Sequence, residues 1–262
     1  MDRLPTVEAF ASTYNTPSYA DPMESVADYR RYQREWATSE LGSAAISTRM
    51  ELPRGRIRSW EDGSKPDVVN GIETALEHGW LEQPVDSEAF TALNRLVAGV
   101  YSGGSISTAT FEPSFSTPDE WVDRRLRADL HRLNAESWVA ESNSGNVEEL
   151  RAATDATVLG RVLVALDAPQ GPKAESARQL PTYLYGETTT TTLREDFVRI
   201  YMANRGVRVA EKGFIQIQEQ RSNRYRNALA ALLDDVLDVK VRCGERALRV
   251  DEAALDELKL SS

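Results

Sequence analysis

Arginine pairs bidentately with guanine O6 and N7 in the major groove, so a helix that presents several arginines is chemically suited to reading bases. Arg49, Arg54, Arg56 and Arg58 lie close together, with Ser59 beside the last and one acid, Glu51, among them. They make 46–60 the most basic window of an acidic chain. A solvated helix face, with these arginines paired to Glu40, Glu51, Glu61 and Asp62, is the alternative. A second polar series alternates with apolar residues: Gln216, Gln218 and Gln220 on one face, Ile215 and Ile217 on the other. Glutamine matches adenine N6 and N7, although a solvent-facing strand has the same composition. Arg208, on the preceding strand, is expected to add a phosphate contact. Arg221, Arg224 and Arg226 follow at the next corner.

Other chemistry finds little support. Ser102 and Ser105 have no histidine near them in sequence to activate a hydroxyl, and Gly103-Gly104 is too short for a phosphate-cradling loop. Cys243 is the single cysteine, and His78 and His131 are the only histidines, which excludes an internal disulfide and a Cys/His zinc site. Acidic pairs such as Asp234-Asp235 and Glu148-Glu149 fall on amphipathic stretches and read as solvated surface. The expectation is therefore no catalytic residue, no metal ligand and no cofactor.

The 262 residues are 41% hydrophobic, ample for a packed core in one large domain or two smaller ones. No apolar run approaches the roughly 20 residues of a membrane span, and Met1 to Thr6 lack a signal-peptide pattern, so the expected location is the cytoplasm with no membrane partner. A net charge of -10 ordinarily argues against nucleic acid. Five lysines beside 26 arginines, with abundant Asp and Glu, suggest instead a halophilic, salt-loaded cytoplasm in which negative charge maintains solubility. At about 1 M salt the Debye length is about 3 Å, and recognition there must rest on short-range contacts.

The elements that position these residues follow from periodicity. After an irregular lead-in, 1–23, with a short helix-like segment around Val7 to Ala11, the spacing of Val26, Tyr29, Tyr32 and Trp36 predicts a helix over 24–37. Ile46, Met50, Leu52, Ile57 and Trp60 fall at the inward positions of a helix-turn-helix, with Ser47 at the crossing and Glu51 where Gly is usual. Its second helix, 53–61, starts with Pro53, a favoured first residue, and is expected to expose Arg54, Arg56, Arg58 and Ser59. A closing helix, 67–78, carries Val68, Ile72, Ala75 and Leu76 inward. Trp80 anchors its end, which completes an all-α domain over 24–80, and 81–86 reads as a linker.

Beyond it, Leu-Val-Ala-Gly-Val-Tyr-Ser-Gly-Gly-Ser-Ile, 96–106, is a small-residue helix end running into a Gly-Gly-Ser turn and a strand. It resembles the signature helix of the LAGLIDADG homing endonucleases, which implies that the turn glycine takes a positive φ and that Ala98, Gly99 and Ser102 pack against Ile200, Ala203 and Asn204 of a second such helix. The order helix, two strands, helix, two strands, helix follows over 87–186, with Phe90, Leu93, Leu96, Val97 and Val100 as the inner face of the first helix. Pro169-Gln170-Gly171-Pro172-Lys173 and Leu180-Pro181 then resemble the turn and the strand entry of archaeal members. A second signature helix is expected over 193–204, with Thr188 to Thr192 as a loop before it, and a second repeat over 187–262 ends in a helix at 251–258. The resemblance implies an α+β fold, two αββαββα repeats forming a saddle over DNA, behind the helix-turn-helix.

On that resemblance the two acidic positions of each motif fall at Tyr101 and Gly103 and at Ala203 and Arg205, and none of these four can hold a metal. Lys173 matches the family's turn lysine but performs no hydrolysis without the acids. What is implied is a sequence-specific, non-catalytic binder of double-stranded DNA, a transcription regulator or mobile-element-associated protein. It is similar in logic to bacterial sporulation regulators that join the same two modules in reverse order. Two alternatives stay open: a metal-dependent endonuclease with Glu112 and Glu211 as substitute acids, and a protein-binding scaffold. Both repeats lie in one chain, which is compatible with a monomer.

Overall fold

The computed structural model describes residues 3–118, 120–140, 149–173 and 179–253. Strand β1 (Arg3–Leu4) lies in the stretch expected to be irregular, and helix α1 (Val7–Ala11) falls where the short helix-like segment is expected. Thr6 caps α1 by accepting from the Ala9 N–H (3.1 Å), and Phe10 and Ala11 are buried. Helix α2 (Pro22–Thr38) starts where Asp21 accepts from the Met23 N–H (2.8 Å). It turns Val26, Tyr29 and Tyr32 inward, and the two tyrosine rings meet Trp60 at 5.4 and 5.3 Å.

Helices α3 (Ser43–Met50) and α4 (Arg54–Glu61) bury Ile46, Met50, Ile57 and Trp60, the pattern expected of them. Glu51 between them is left-handed (φ 57°), the conformation for which Gly is the usual choice. The Ser47 hydroxyl steadies this turn by donating to the Leu52 carbonyl (2.7 Å). Helix α5 (Asp67–Glu77) buries Val68, Val69, Ile72 and Ala75. Leu76 departs from expectation at 45% exposed, and so does Trp36 at 43%. In each case the buried stripe is one position narrower than its helical spacing suggested.

The stretch 81–86 is packed rather than loose. Leu81 and Val85 are buried, and strand β2 (Gln83–Pro84) pairs antiparallel with β1. The Trp80 indole donates to the Leu133 carbonyl (2.7 Å), so the helical segment and the next share one hydrophobic core.

The remainder is built twice on one plan. Helix α6 (Glu88–Ser102) is followed by β3 (Ser105–Ile106), β4 (Pro113–Ser116), α7 (Glu120–Arg132), β5 (Ser137–Ala140), β6 (Glu149–Ala152) and α8 (Ala156–Ala165). Helix α9 (Thr191–Arg205) is followed by β7 (Gly206–Val209), β8 (Phe214–Gln218), α10 (Asn223–Leu237), β9 (Arg242–Cys243) and β10 (Ala247–Asp251). The sheets run β3-β4-β6-β5 and β7-β8-β10-β9, all neighbours antiparallel. Each therefore places its first, second, fourth and third strands side by side. The expected closing helix from 251 falls on β10 and then lies outside the described residues, as does the tip of the β5–β6 hairpin. No helix among the described residues is long and apolar enough to cross a membrane.

Three local expectations are corrected. Leu180-Pro181 opens a short 3-10 turn, Thr182–Tyr185, not a strand: proline has no ladder donor, and the Asp167 carboxylate takes both the Thr182 N–H (3.1 Å) and hydroxyl (2.8 Å). The threonine run is half helical, because Thr190 accepts from the Leu193 N–H (3.2 Å) as the cap of α9, and Thr191 and Thr192 form its first turn. The glycines after α6 do not serve a positive φ, since Gly103 has φ -137°. They are needed for proximity: a Cβ on Gly104 would sit 2.2 Å from the Ser114 carbonyl oxygen.

Candidate nucleic-acid interface

Helices α6 and α9 lie side by side and parallel at the centre of the duplicated unit. From Phe90 to Ser102 nearly every residue of α6 is buried, as a helix that is apolar all round must be. Polar stitches set the register along the seam. The Asn94 amide donates to the Leu193 carbonyl (2.8 Å), Arg95 Nη1 reaches Asp196 (2.8 Å), and the Asn204 amide donates to Ser102 Oγ (2.7 Å). Arg95 also grips Asp129 of α7 through Nε (2.8 Å) and Nη2 (2.6 Å). Gly99, expected in the seam, faces elsewhere: its missing Cβ would meet Phe115 and Leu126 at 3.2 and 3.5 Å.

The four positions matched to motif acids do other things. Tyr101 is buried, with its hydroxyl within hydrogen-bond reach of the Asp167 and Gln179 carbonyls (2.7 and 2.6 Å). Gly103 is exposed and Ala203 half-buried at the seam. Arg205 donates to the Gln218 carbonyl (2.9 Å) rather than pairing with Glu211, which is exposed. Among the described residues, no three His, Cys, Asp or Glu side chains gather into a metal-ligating group.

Where the two helices end, a 330 Å³ cleft is lined by Lys173, Arg205, Gln218, Glu219, Gln220 and Arg221. Of these, Arg221 was expected at the next corner, and Glu219 was given no role in the sequence reading. Arg221 is 4% exposed, its guanidinium over the Tyr225 and Tyr101 rings (4.3 and 5.4 Å), with Nη2 donating to the Tyr101 carbonyl (2.6 Å). Glu219 is 2% exposed and accepts from the Tyr201 hydroxyl (2.6 Å) and the Arg221 N–H (3.0 Å). The alternation that buries Ile215 and Ile217 continues to Glu219, a signal that the glutamine pattern obscured. Arg226 is buried as well, donating to the Arg221 carbonyl and Asn223, so of the corner arginines only Arg224 faces solvent.

The sheets present their outer faces in rows. Residues directly opposite in antiparallel strands project to the same side. In the second sheet Val207, Gln216, Arg249 and Arg242 stand in one row, and Gln218 stands opposite Ala247 in the next. In the first sheet Ser105, Ser114, Arg151 and Trp138 form the corresponding row. Trp138 is 48% exposed with the Arg151 guanidinium 5.9 Å from its ring, and Arg249 lies 5.2 Å from the Phe214 ring. Gln216 and Gln218 thus occupy the outer face as expected, and Gln220 is exposed beyond the strand end.

Arg208 does not join them. It lies opposite Ile215, on the other face at the sheet edge, and is ion-paired with Glu252. Arg151, Trp138, Arg242 and Arg249 are the outer-face residues that the sequence reading missed. Arg249 between buried Leu248 and Val250, and Arg151 between buried Leu150 and Ala152, carry the same alternation and were there to be found.

On α4, Arg54, Arg58 and Ser59 are exposed, and among the described residues neither arginine has an ion-pair partner. Arg49 is paired with Glu35 (2.8 Å). Arg56 is half-buried: its Nη1 donates to the Tyr19 hydroxyl (2.6 Å) and its guanidinium lies 4.8 Å from that ring. The Tyr19 hydroxyl in turn donates to Asp28 (2.8 Å), and burial together with that carboxylate pushes its pKa up to about 12. Arg56 therefore belongs to the packing of α4 against the lead-in.

No family model matches the chain, and no curated protein matches it in sequence. Among solved structures it is similar to the N-terminal LAGLIDADG domain of DUF199/WhiA, with TM-score 0.41 and 11% identity over 70% of this chain and 87% of that one. It is also similar to full-length DUF199/WhiA from Thermatoga maritima, at TM-score 0.41 and 10% identity, covering 68% of this chain and 55% of that one. I-DmoI in complex with DNA and Mn is a third, at TM-score 0.44 and 9% identity, covering 67% of this chain and 99% of that one. The chain is thus similar to LAGLIDADG domains at low identity, while the duplicated topology rests on its own strand pairing.

Proposed function

We propose that this chain is a sequence-specific, non-catalytic binder of double-stranded DNA, acting as a transcription regulator or a mobile-element-associated protein. The observation that carries this reading is the pair of matched outer rows. Each four-stranded sheet turns a polar, arginine-bearing line outward from equivalent strands, a surface suited to base edges along a groove. Gln216 is suited to adenine and Arg249 to guanine, while Trp138 offers a flat apolar contact. Helices α3 and α4 are read as a helix-turn-helix whose second helix adds Arg54, Arg58 and Ser59. With a net charge of -10, the expected working medium is concentrated salt, where short-range contacts outlast long-range attraction.

Duplex binding measured by fluorescence anisotropy in KCl tests α4. Arg54→Ala and Arg58→Ala are each expected to cost roughly 1 to 3 kcal/mol at a preferred site. Arg56→Ala is expected to affect folding stability more than affinity, because its partners are Tyr19 and the core beneath α4. Equal affinity for the Arg54, Arg58 and parent proteins would remove α4 from the interface.

Absence of cleavage is the second expectation. Gly103 and Arg205 stand where metal-binding carboxylates are required, and Glu219 is held by Tyr201 and Arg221. Supercoiled plasmid carrying a preferred site should stay intact with Mg²⁺ or Mn²⁺. Metal-dependent nicking lost in Glu112→Gln or Glu211→Gln would establish the endonuclease alternative instead.

A further inference from the structure

A 260 Å³ cleft lies where the lead-in meets α4 and the first turns of α2 and α5, and Tyr14, Tyr19, Ser25, Arg56, Trp60 and Asp67 are among its lining residues. Its aromatic walls are held in place by the chain itself. Tyr19 is fixed between Arg56 (2.6 Å) and Asp28 (2.8 Å). The Tyr14 ring lies 3.9 Å from the Arg161 guanidinium, and its hydroxyl occupies the space that a Cβ on Gly71 would take. Trp60 is 7% exposed.

The polar groups of this cleft are left with capacity to donate. Ser25 is 4% exposed, and its hydroxyl, which has no hydrogen-bond partner among the described residues, is reachable from the cleft. A nearly buried hydroxyl without a partner is costly, so it points to an acceptor that the chain does not supply. Arg56 commits Nη1 to Tyr19 and, among the described residues, makes no other hydrogen bond. Helix α5 begins here with Pro66 at its N-cap and no side-chain cap, so its positive end faces the same space. The charge balance limits what can enter. Lys65 on the rim is already paired with Glu73 (2.6 Å), and the Asp67 carboxylate opposes a second negative charge.

We propose that this cleft is a binding site for a small organic monoanion, a carboxylate carried on a flat apolar body. The carboxylate accepts from the free N–H groups of Arg56 and from the Ser25 hydroxyl, and Tyr14, Tyr19 and Trp60 enclose the body. The volume falls below the range of about 300 to 1,000 Å³ usual for drug-sized ligands, which suits a single ring. Arg56 and Ser59 both line the cleft and both belong to α4, so an occupant touches the element that carries Arg54 and Arg58. The site itself does not rest on DNA recognition.

The test is a ligand-observed NMR titration of the full chain with benzoate at neutral pH and fixed KCl, with benzyl alcohol as the uncharged analogue of the same ring. Saturable binding of benzoate, at least about tenfold tighter than benzyl alcohol, is expected for a charge-assisted contact. Ser25→Ala should weaken benzoate about two- to tenfold, the worth of one hydrogen bond. It removes no hydrogen bond within the chain, so its thermal unfolding should match the parent's. Asp67→Asn should act in the opposite sense and tighten benzoate about two- to fivefold, the scale of one charge at a helix end. Circular dichroism verifies that each variant is folded. Opposite signs from two substitutions in one cleft distinguish this site from adsorption of the ring elsewhere. Benzoate binding that is absent, equal to that of benzyl alcohol, or unmoved by either substitution overturns the proposal.

Discussion

Arg95→Met is expected to destabilise the folded chain by about 3 to 5 kcal/mol at neutral pH, the usual cost of removing one partner of a buried ion pair. The side chains concerned are 10% exposed for Arg95 and 2% for Asp129, so water cannot replace the lost fork. Burial pushes the Asp129 carboxyl up and Arg95 pulls it down; with Arg95 gone, burial and Asp196 push upward against Arg125 alone. A raised folded-state pKa means that the variant's deficit is smallest below the ordinary carboxylate range near 4 and grows as pH rises. Denaturant unfolding at pH 4 and pH 7 measures both effects. The double variant Arg95→Met, Asp129→Leu should recover part of the loss, because the most buried carboxylate is then removed while Asp196, 15% exposed, still lacks its partner. A deficit under about 1 kcal/mol, or a double variant no better than the single, would show that this cluster does not hold α6 to α7 and α9.

The second large effect concerns binding. Gln216→Ala with Arg249→Ala should weaken a preferred duplex by about 2 to 6 kcal/mol if each side chain makes a bidentate base contact. The lower bound corresponds to a loss of about 30-fold in affinity. The two residues stand directly opposite across β8 and β10, so their energies are expected to couple rather than add. Folding stability should change little, because both project from the outer face. Arg208→Ala is the internal control: the same charge is removed from the same sheet, but from the other face and from an ion pair with Glu252. Affinity that falls equally in Arg208→Ala would mean that net charge, not the outer row, governs binding.

Much of this architecture was legible because local chemistry and tertiary packing agree. Ser87 and Ser222 cap α6 and α10, and Ile46, Met50, Ile57 and Trp60 are buried at the spacing that named them. The misreadings share a cause, which is that periodicity reports one element's face but not its neighbours. Gly99 looked like a helix–helix contact because it is small, yet its side abuts Phe115 and Leu126. Arg208 was grouped with the glutamines by proximity in sequence, whereas register puts it on the opposite face. Arg56 shares the spacing of exposed positions but is covered by Tyr19, a residue 37 positions away in a stretch expected to be irregular. Glu219 and Arg221 are polar residues in inward positions, which the alternation signals and residue type conceals.

The central claim is that this chain distinguishes DNA sequences, and selection from a pool of random duplexes at multimolar KCl tests it most directly. The account predicts enrichment of a defined site, and loss of that preference in the Gln216→Ala, Arg249→Ala variant. Recovery of an unenriched pool by the parent protein, at this and at lower salt, would contradict it.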